Sequence, residues 1–104
     1  MEYRIIKSPS KGAVDILFRR KGSASTSPIE DYDAIGLVQG RLIDMVFAAD
    51  IAEKAAGVVV EDIKGHCPQN MIMIAIFGDT ASVEAALKEI QCKLKQVKAG
   101  EALC

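Results

Sequence analysis

Apolar residues recur along this chain in two periods, and the switches between them mark out its elements. Tyr3 to Ile6 is a short apolar-rich run, stopped by Ser8-Pro9-Ser10-Lys11-Gly12, which has turn composition. From Ala13 to Phe18, Val14, Ile16 and Phe18 alternate with Asp15 and Leu17, which predicts a second strand with one apolar face. Lys21 to Ser27 is rich in glycine, serine and threonine and reads as a connector. Asp33 to Gly40 reads as a third strand closing on glycine. Arg41 to Ala56 then predicts a helix that is apolar nearly all round, including Leu42, Ile43, Met45, Val46, Phe47 and Ile51. Such a helix is buried on more than one side. In a small domain one side covers the sheet, and the other is free to meet a neighbouring subunit. Gly57 stands where a C-cap is expected.

Two further strands, Val58 to Lys64 and Asn70 to Phe77, flank a central loop. Met71-Ile72-Met73-Ile74-Ala75-Ile76-Phe77 shows no alternation, which predicts a central strand buried on both faces. Gly78-Asp79-Thr80 is a turn with an N-cap, and a second helix is predicted from about Ala81 to Val97. Its apolar stripe is Val83, Ala86, Leu87, Ile90, Leu94 and Val97, with Glu84/Lys88 and Glu89/Lys93 as i,i+4 pairs on the solvated side. Lys98 to Cys104 carries no pattern. Two short strands, then strand, helix, strand, strand, helix, make an α+β sandwich with helices on one face of an antiparallel sheet.

The loop between the last two strands, Ile63-Lys64-Gly65-His66-Cys67-Pro68-Gln69-Asn70, is the stretch with chemistry in it. Glycine, histidine, cysteine and proline in succession suit a sharp turn and not a strand. Pro68 fixes its own backbone and biases Cys67 towards an extended conformation, which helps to aim the thiol. Cys67 reads either as a metal ligand or as a small buried hydrophobe. His66 reads as a solvent-facing loop residue before it reads as a ligand. Gln69 satisfies hairpin backbone groups, Cys92 packs beside the helix stripe, and Cys104 is a terminal thiol.

Composition narrows the classes of function. A length of 104 residues fits one domain, and a hydrophobic fraction of 50% argues for a packed core and for some subunit interface. A net charge of −1 gives no electrostatic case for nucleic acid or an anionic membrane. No apolar run approaches the roughly 18 residues of a membrane span, and residues 1–6 lack a signal-peptide layout, so a cytoplasmic location is expected. Three cysteines cannot all pair within one chain, and in that compartment they read as thiols or metal ligands.

From Asp33 to Ile90 the chain resembles the bacterial microcompartment (BMC) shell-protein domain. The resemblance rests on Ala34-Ile35-Gly36, on Phe47-Ala48-Ala49-Asp50-Ile51-Ala52-Glu53-Lys54-Ala55-Ala56, on Val58-Val59-Val60, on the glycine-containing hairpin loop, and on Gly78 to Ala86. It implies a ferredoxin-like sandwich and a structural, non-enzymatic role. Members form cyclic homohexamers that tile with other shell proteins around encapsulated enzymes. The loop between the second and third core strands lines the central pore, which here assigns Gly65, His66, Cys67, Pro68 and Gln69 to the pore. This loop is similar to the Gly-x-Cys-Pro-Gln loop of divergent shell proteins from glycyl-radical-type microcompartments, which are associated with an iron–sulfur cluster. Lys54 matches a lysine that makes edge contacts between hexamers. Residues 1–32 come before the usual start, and 98–104 is a short tail, around a core at 33–97. That order resembles the circularly permuted members, with Ala13 to Phe18 placed in the main sheet and Tyr3 to Ile6 available for a small barrel over the pore.

The resemblance also implies a mechanism for the loop. A closed ring brings six copies of Cys67 around one axis, and a [4Fe–4S] cluster takes four thiolates. The cluster would be shared between subunits. Metal binding to thiolates releases protons, so occupancy should fall in acid. The competing readings are a shell tile with a metabolite-conducting pore, a small effector-binding regulator, and a thiol enzyme using Cys67 and His66. The enzyme reading is weak, because neighbouring residues on an extended loop point apart.

Overall fold

The computed structural model describes residues 1–21, 32–55, 57–65 and 71–99. Its elements in order are β1 (Glu2–Lys7), α1 (Lys11–Arg20), β2 (Ala34–Arg41), α2 (Leu42–Ala55), β3 (Val59–Ile63), β4 (Met71–Gly78) and α3 (Thr80–Ala99). The strands form one antiparallel sheet in the order β1-β2-β4-β3. This is an α+β fold of four strands and three helices among the described residues.

β2 and β4 occupy the middle of the sheet and pair along their whole length, from Ala34 opposite Gly78 to Arg41 opposite Met71. Ile74, Ala75, Ile76 and Phe77 in succession are buried, as a run without alternation requires. On one face Ala34, Val38, Ile74 and Ile76 meet Met45, Ala48 and Ala52 of α2 and Val83, Ala86, Ile90 and Leu94 of α3. Gly36 belongs to this face, where a Cβ would come within 3.0 Å of Val83 Cγ1. Its lack of a side chain is what lets α3 lie this close to β2. The α3 stripe is as expected except at Val97, which is exposed. Of the two expected ion pairs, Glu89–Lys93 forms at 3.7 Å, while Glu84 instead reaches Lys7 of β1 at 3.6 Å. α2 stops ahead of Gly57, although Gly57 does not adopt the left-handed cap conformation.

The amino-terminal segment departs from the sequence-based expectation in two places. Tyr3 to Ile6 is not part of a separate barrel. It lies in β1, an edge strand paired with β2 from Glu2–Gln39 to Lys7–Ala34. The chain then turns at Ser8, whose φ is 50° and whose N–H donates to the Asp33 carbonyl at 2.8 Å. Ala13 to Phe18 is not a strand but most of α1. Ser10 caps it, its Oγ accepting from Ala13 N–H at 3.2 Å, and Lys11 pairs with Asp15 one turn on. Val14, Ile16 and Phe18 are spaced evenly enough to imitate a strand, yet Ile16 and Phe18 end up about half exposed. Leu17, which alternation puts on the mixed face with Asp15, is the residue that anchors the helix.

Leu17 packs with Ile35, Ile63, Ala75 and Phe77 on the face opposite α2 and α3. Helices therefore cover both faces of the sheet. Leu17→Ala is expected to cost about 2–4 kcal/mol, the usual range for a truncated core leucine. Urea unfolding followed by far-UV circular dichroism measures it, and a loss below 1 kcal/mol on the order expected of a surface site would deny α1 its anchoring role.

Asp79 caps α3 from the position before it, with its carboxylate accepting from Ser82 N–H at 3.4 Å. The Ser82 side chain, and behind it backbone N–H groups of the first turn, hold the Asp79 carboxyl below its ordinary 3.8, against a desolvation push the other way. A depressed folded value stabilises the fold above the unfolded value, and that contribution is lost as pH falls through the folded one. Asp79→Asn should therefore leave the thermal midpoint less sensitive to pH below 3.8 than in the parent chain. Parallel midpoints through that acid range would contradict the cap.

Candidate functional site

β3 ends at Ile63 and β4 opens at Met71, so residues 64–70 connect the two strands in sequence. Lys64 and Gly65 lie within the described residues. The readings made for His66, Cys67, Pro68 and Gln69 lie outside them, as does that for Cys104. A Cβ on Gly65 would meet nothing within 4 Å in the single chain, so crowding in this chain does not demand glycine there.

The start of the loop is braced by an element that sequence reasoning had put elsewhere. Lys64 N–H donates to the Arg20 carbonyl at 2.7 Å, and Lys21 bridges to Ile63. The last turn of α1 is thereby tied to the exit of β3. A hollow of about 710 Å³ opens there, floored by Ile16, Ile63, Met71 and Met73 and rimmed by Arg20 and Lys64. A Ser10 cap, an i,i+4 Lys11/Asp15 pair and the Val14/Leu17/Lys21 spacing were the signals that point to a helix here.

Lys54 stands in the last turn of α2, exposed, with its ammonium 2.9 Å from the Asp50 carboxylate. Cys92 on α3 is half-buried and takes part in a disulfide, so it is not the unpaired packing thiol expected from compartment arguments. Which cysteines come close in space is a tertiary property that their spacing does not carry. Among the described residues, no group of three or more His, Cys, Asp or Glu side chains is placed to hold a metal. No described helix is long and apolar enough to cross a membrane.

A second surface stands out on α2. Leu42, Ile43, Val46 and Phe47 share one side of the helix and are exposed, Ile43 at 76% and Val46 at 62%. The opposite side of the same helix, through Met45, Ala48 and Ala52, is fully buried. The two-sided apolar helix read from the sequence thus has one side on the sheet and one side open in the single chain.

An α+β sheet of this order and an apolar helix with an uncovered side define a subunit built to sit against others. The BMC-domain family model matches residues 34–102, and the chain belongs to that family of microcompartment shell proteins. It is similar to the GrpU microcompartment shell protein from Clostridiales bacterium 1_7_47FAA, a ligand-free structure, at 56% identity over 95% of this chain and 98% of that one, with a TM-score of 0.73. The ligand-free GrpU shell protein from Pectobacterium wasabiae is 37% identical over 86% of this chain and 99% of that one, with a TM-score of 0.68. The fused permuted hexameric shell protein MSM0275 shares the fold, at 16% identity over 97% of this chain and 46% of that one, with a TM-score of 0.63. No curated protein matches the chain.

Proposed function

We propose that this shell protein forms a cyclic homohexamer, tiles with other shell proteins in a bacterial microcompartment within the cytoplasm, and binds an iron–sulfur cluster in its central pore through Cys67. The observation that carries the ring is the uncovered apolar side of α2. Four large apolar side chains on a solvated helix face oppose solubility unless they are covered, and a neighbouring copy would cover them. Likeness to GrpU shell proteins supports the same reading. β1 at the sheet edge supports the circularly permuted order, because the strand comes from the start of the chain.

In the ring, Gly65, His66, Cys67, Pro68 and Gln69 would line the pore. Six Cys67 thiols around one axis exceed the four that a [4Fe–4S] cluster uses, so two would stay unligated. One chain offers a single thiol in this loop, which is why the cluster must be shared. The donor set fits such a cluster, since thiolates suit iron–sulfur chemistry better than the His66 imidazole does. Lys54, at the end of α2, would make the edge contacts between hexamers. The protein's role in this reading is structural, not enzymatic.

Visible and EPR spectra of protein purified without oxygen test the cluster. A brown colour that reductant bleaches is the expected result. A colourless ring, still without iron after reconstitution, would leave a shell tile whose pore passes small metabolites.

A further inference from the structure

Positive charge gathers where α1 meets β3. Arg19 and Arg20 end the helix, Lys21 follows as its cap, and Lys64 arrives from the other element. The backbone bond from Lys64 to Arg20 and the Lys21–Ile63 bridge hold these segments together. All four cations and Gly65 line a hollow of about 440 Å³. Lys21 Nζ lies 4.8 Å above the Phe18 ring. Arg19, Arg20 and Lys64 make no ion pair among the described residues. Among the described residues lining the adjoining larger hollow, Asp62 is the acidic one, and the balance of these described groups stays positive.

The helix dipole accounts for cations in the last turn of α1 one at a time. It does not account for Lys64, which enters the same hollow from β3. Like charges brought together repel, and a bound anion relieves that repulsion. We propose that this hollow is a phosphate-binding site, accepting inorganic phosphate or the phosphate group of a small phosphorylated metabolite. The guanidinium forks of Arg19 and Arg20 suit two oxygens of one phosphate, and the lysines add point charge. A phosphate monoester carries about −1.5 to −2 at neutral pH, a closer match to the charges of Arg19, Arg20 and Lys64 than one carboxylate offers.

The described lining residues all come from one chain. Only its position at the pore rests on the proposed ring, where each subunit would set one such site beside residues 64–70. The shell would then concentrate phosphorylated small molecules at the pore mouth.

Equilibrium dialysis at matched ionic strength tests the site, with inorganic phosphate and glycerol 3-phosphate as probes and succinate as the dicarboxylate control. Saturable phosphate binding is expected, weakened by about tenfold or more in Arg20→Gln/Lys64→Gln and in Arg19→Gln/Lys64→Gln, and unchanged in Lys95→Gln. Circular dichroism confirms that the variants fold. No saturable binding, binding as tight as the parent's in both double variants, or equal binding of succinate would overturn the assignment. Native mass and iron content on the same preparation report the ring and cluster separately, so failure of one reading is distinguishable from failure of the other.

Discussion

Ile43→Asp combined with Val46→Asp is expected to convert the proposed ring into folded monomers. Both side chains are more than half exposed in the single chain, at 76% and 62%, so neither substitution disturbs its core. In the ring both would be buried against the next copy. Full burial of an aliphatic side chain contributes about 1.5–3 kcal/mol, so losing two removes several kcal/mol from each contact. The introduced carboxylates add a desolvation cost on top. Since a ring repeats one contact at every subunit, all of them weaken together. Sedimentation at micromolar concentration should show a single small species, with far-UV circular dichroism and thermal midpoint close to those of the isolated parent fold. A ring that survives both aspartates would remove α2 from the interface.

Cys67→Ser is expected to abolish iron binding altogether, and the reason lies in the stoichiometry. In a ring of identical chains one substitution removes every loop thiolate at once, leaving a serine hydroxyl that is a harder and weaker ligand for iron. Partial loss is therefore not the expectation. His66→Ala should keep the cluster, since the imidazole is assigned to solvent. The assembly itself should persist in Cys67→Ser, because in the proposed ring the apolar side of α2, and not the metal, would hold the subunits together. Iron content and the EPR signal after anaerobic reconstitution check this. Iron retained by Cys67→Ser, or lost from His66→Ala, would reverse the two roles. Because ligation requires thiolate, the parent protein should also release iron as pH falls.

The parts of this fold that were legible in the sequence are those where periodicity has one interpretation. The unbroken apolar run of β4 is seven residues long, bounded by turn signals and rich in isoleucine, which favours a strand with both faces covered over a buried helix, and the spacing of Val83, Leu87, Ile90 and Leu94 fits a helix face. α1 was not legible, because Val14, Ile16 and Phe18 satisfy a period of two while Val14 and Leu17 satisfy one near three and a half. Tertiary packing decided between them, since the face of β2 and β4 carrying Ile35, Ala75 and Phe77 needed a cover and Leu17 supplies it. The partner of Glu84 was unreadable for a related reason. Lys7 approaches from β1, and no local spacing predicts a neighbour from another element.

The loop divides along a different line. Its chemistry, a cysteine between histidine and proline after glycine, is visible in the order of residues. In the proposed ring its geometry would be set by the assembly axis, which no order of residues in one chain encodes. The basic hollow is the converse case. Arg19, Arg20 and Lys21 are obvious as a charge run, but only the placement of α1 against β3 brings Lys64 to them.

Native mass spectrometry of anaerobically purified protein tests the central claim most directly, because one spectrum weighs both the assembly and its metal. The account predicts six chains plus the mass of one four-iron cluster, with the added mass absent in Cys67→Ser. A monomer or a trimer would contradict the shell ring, and six chains without added mass after reconstitution would contradict the pore cluster.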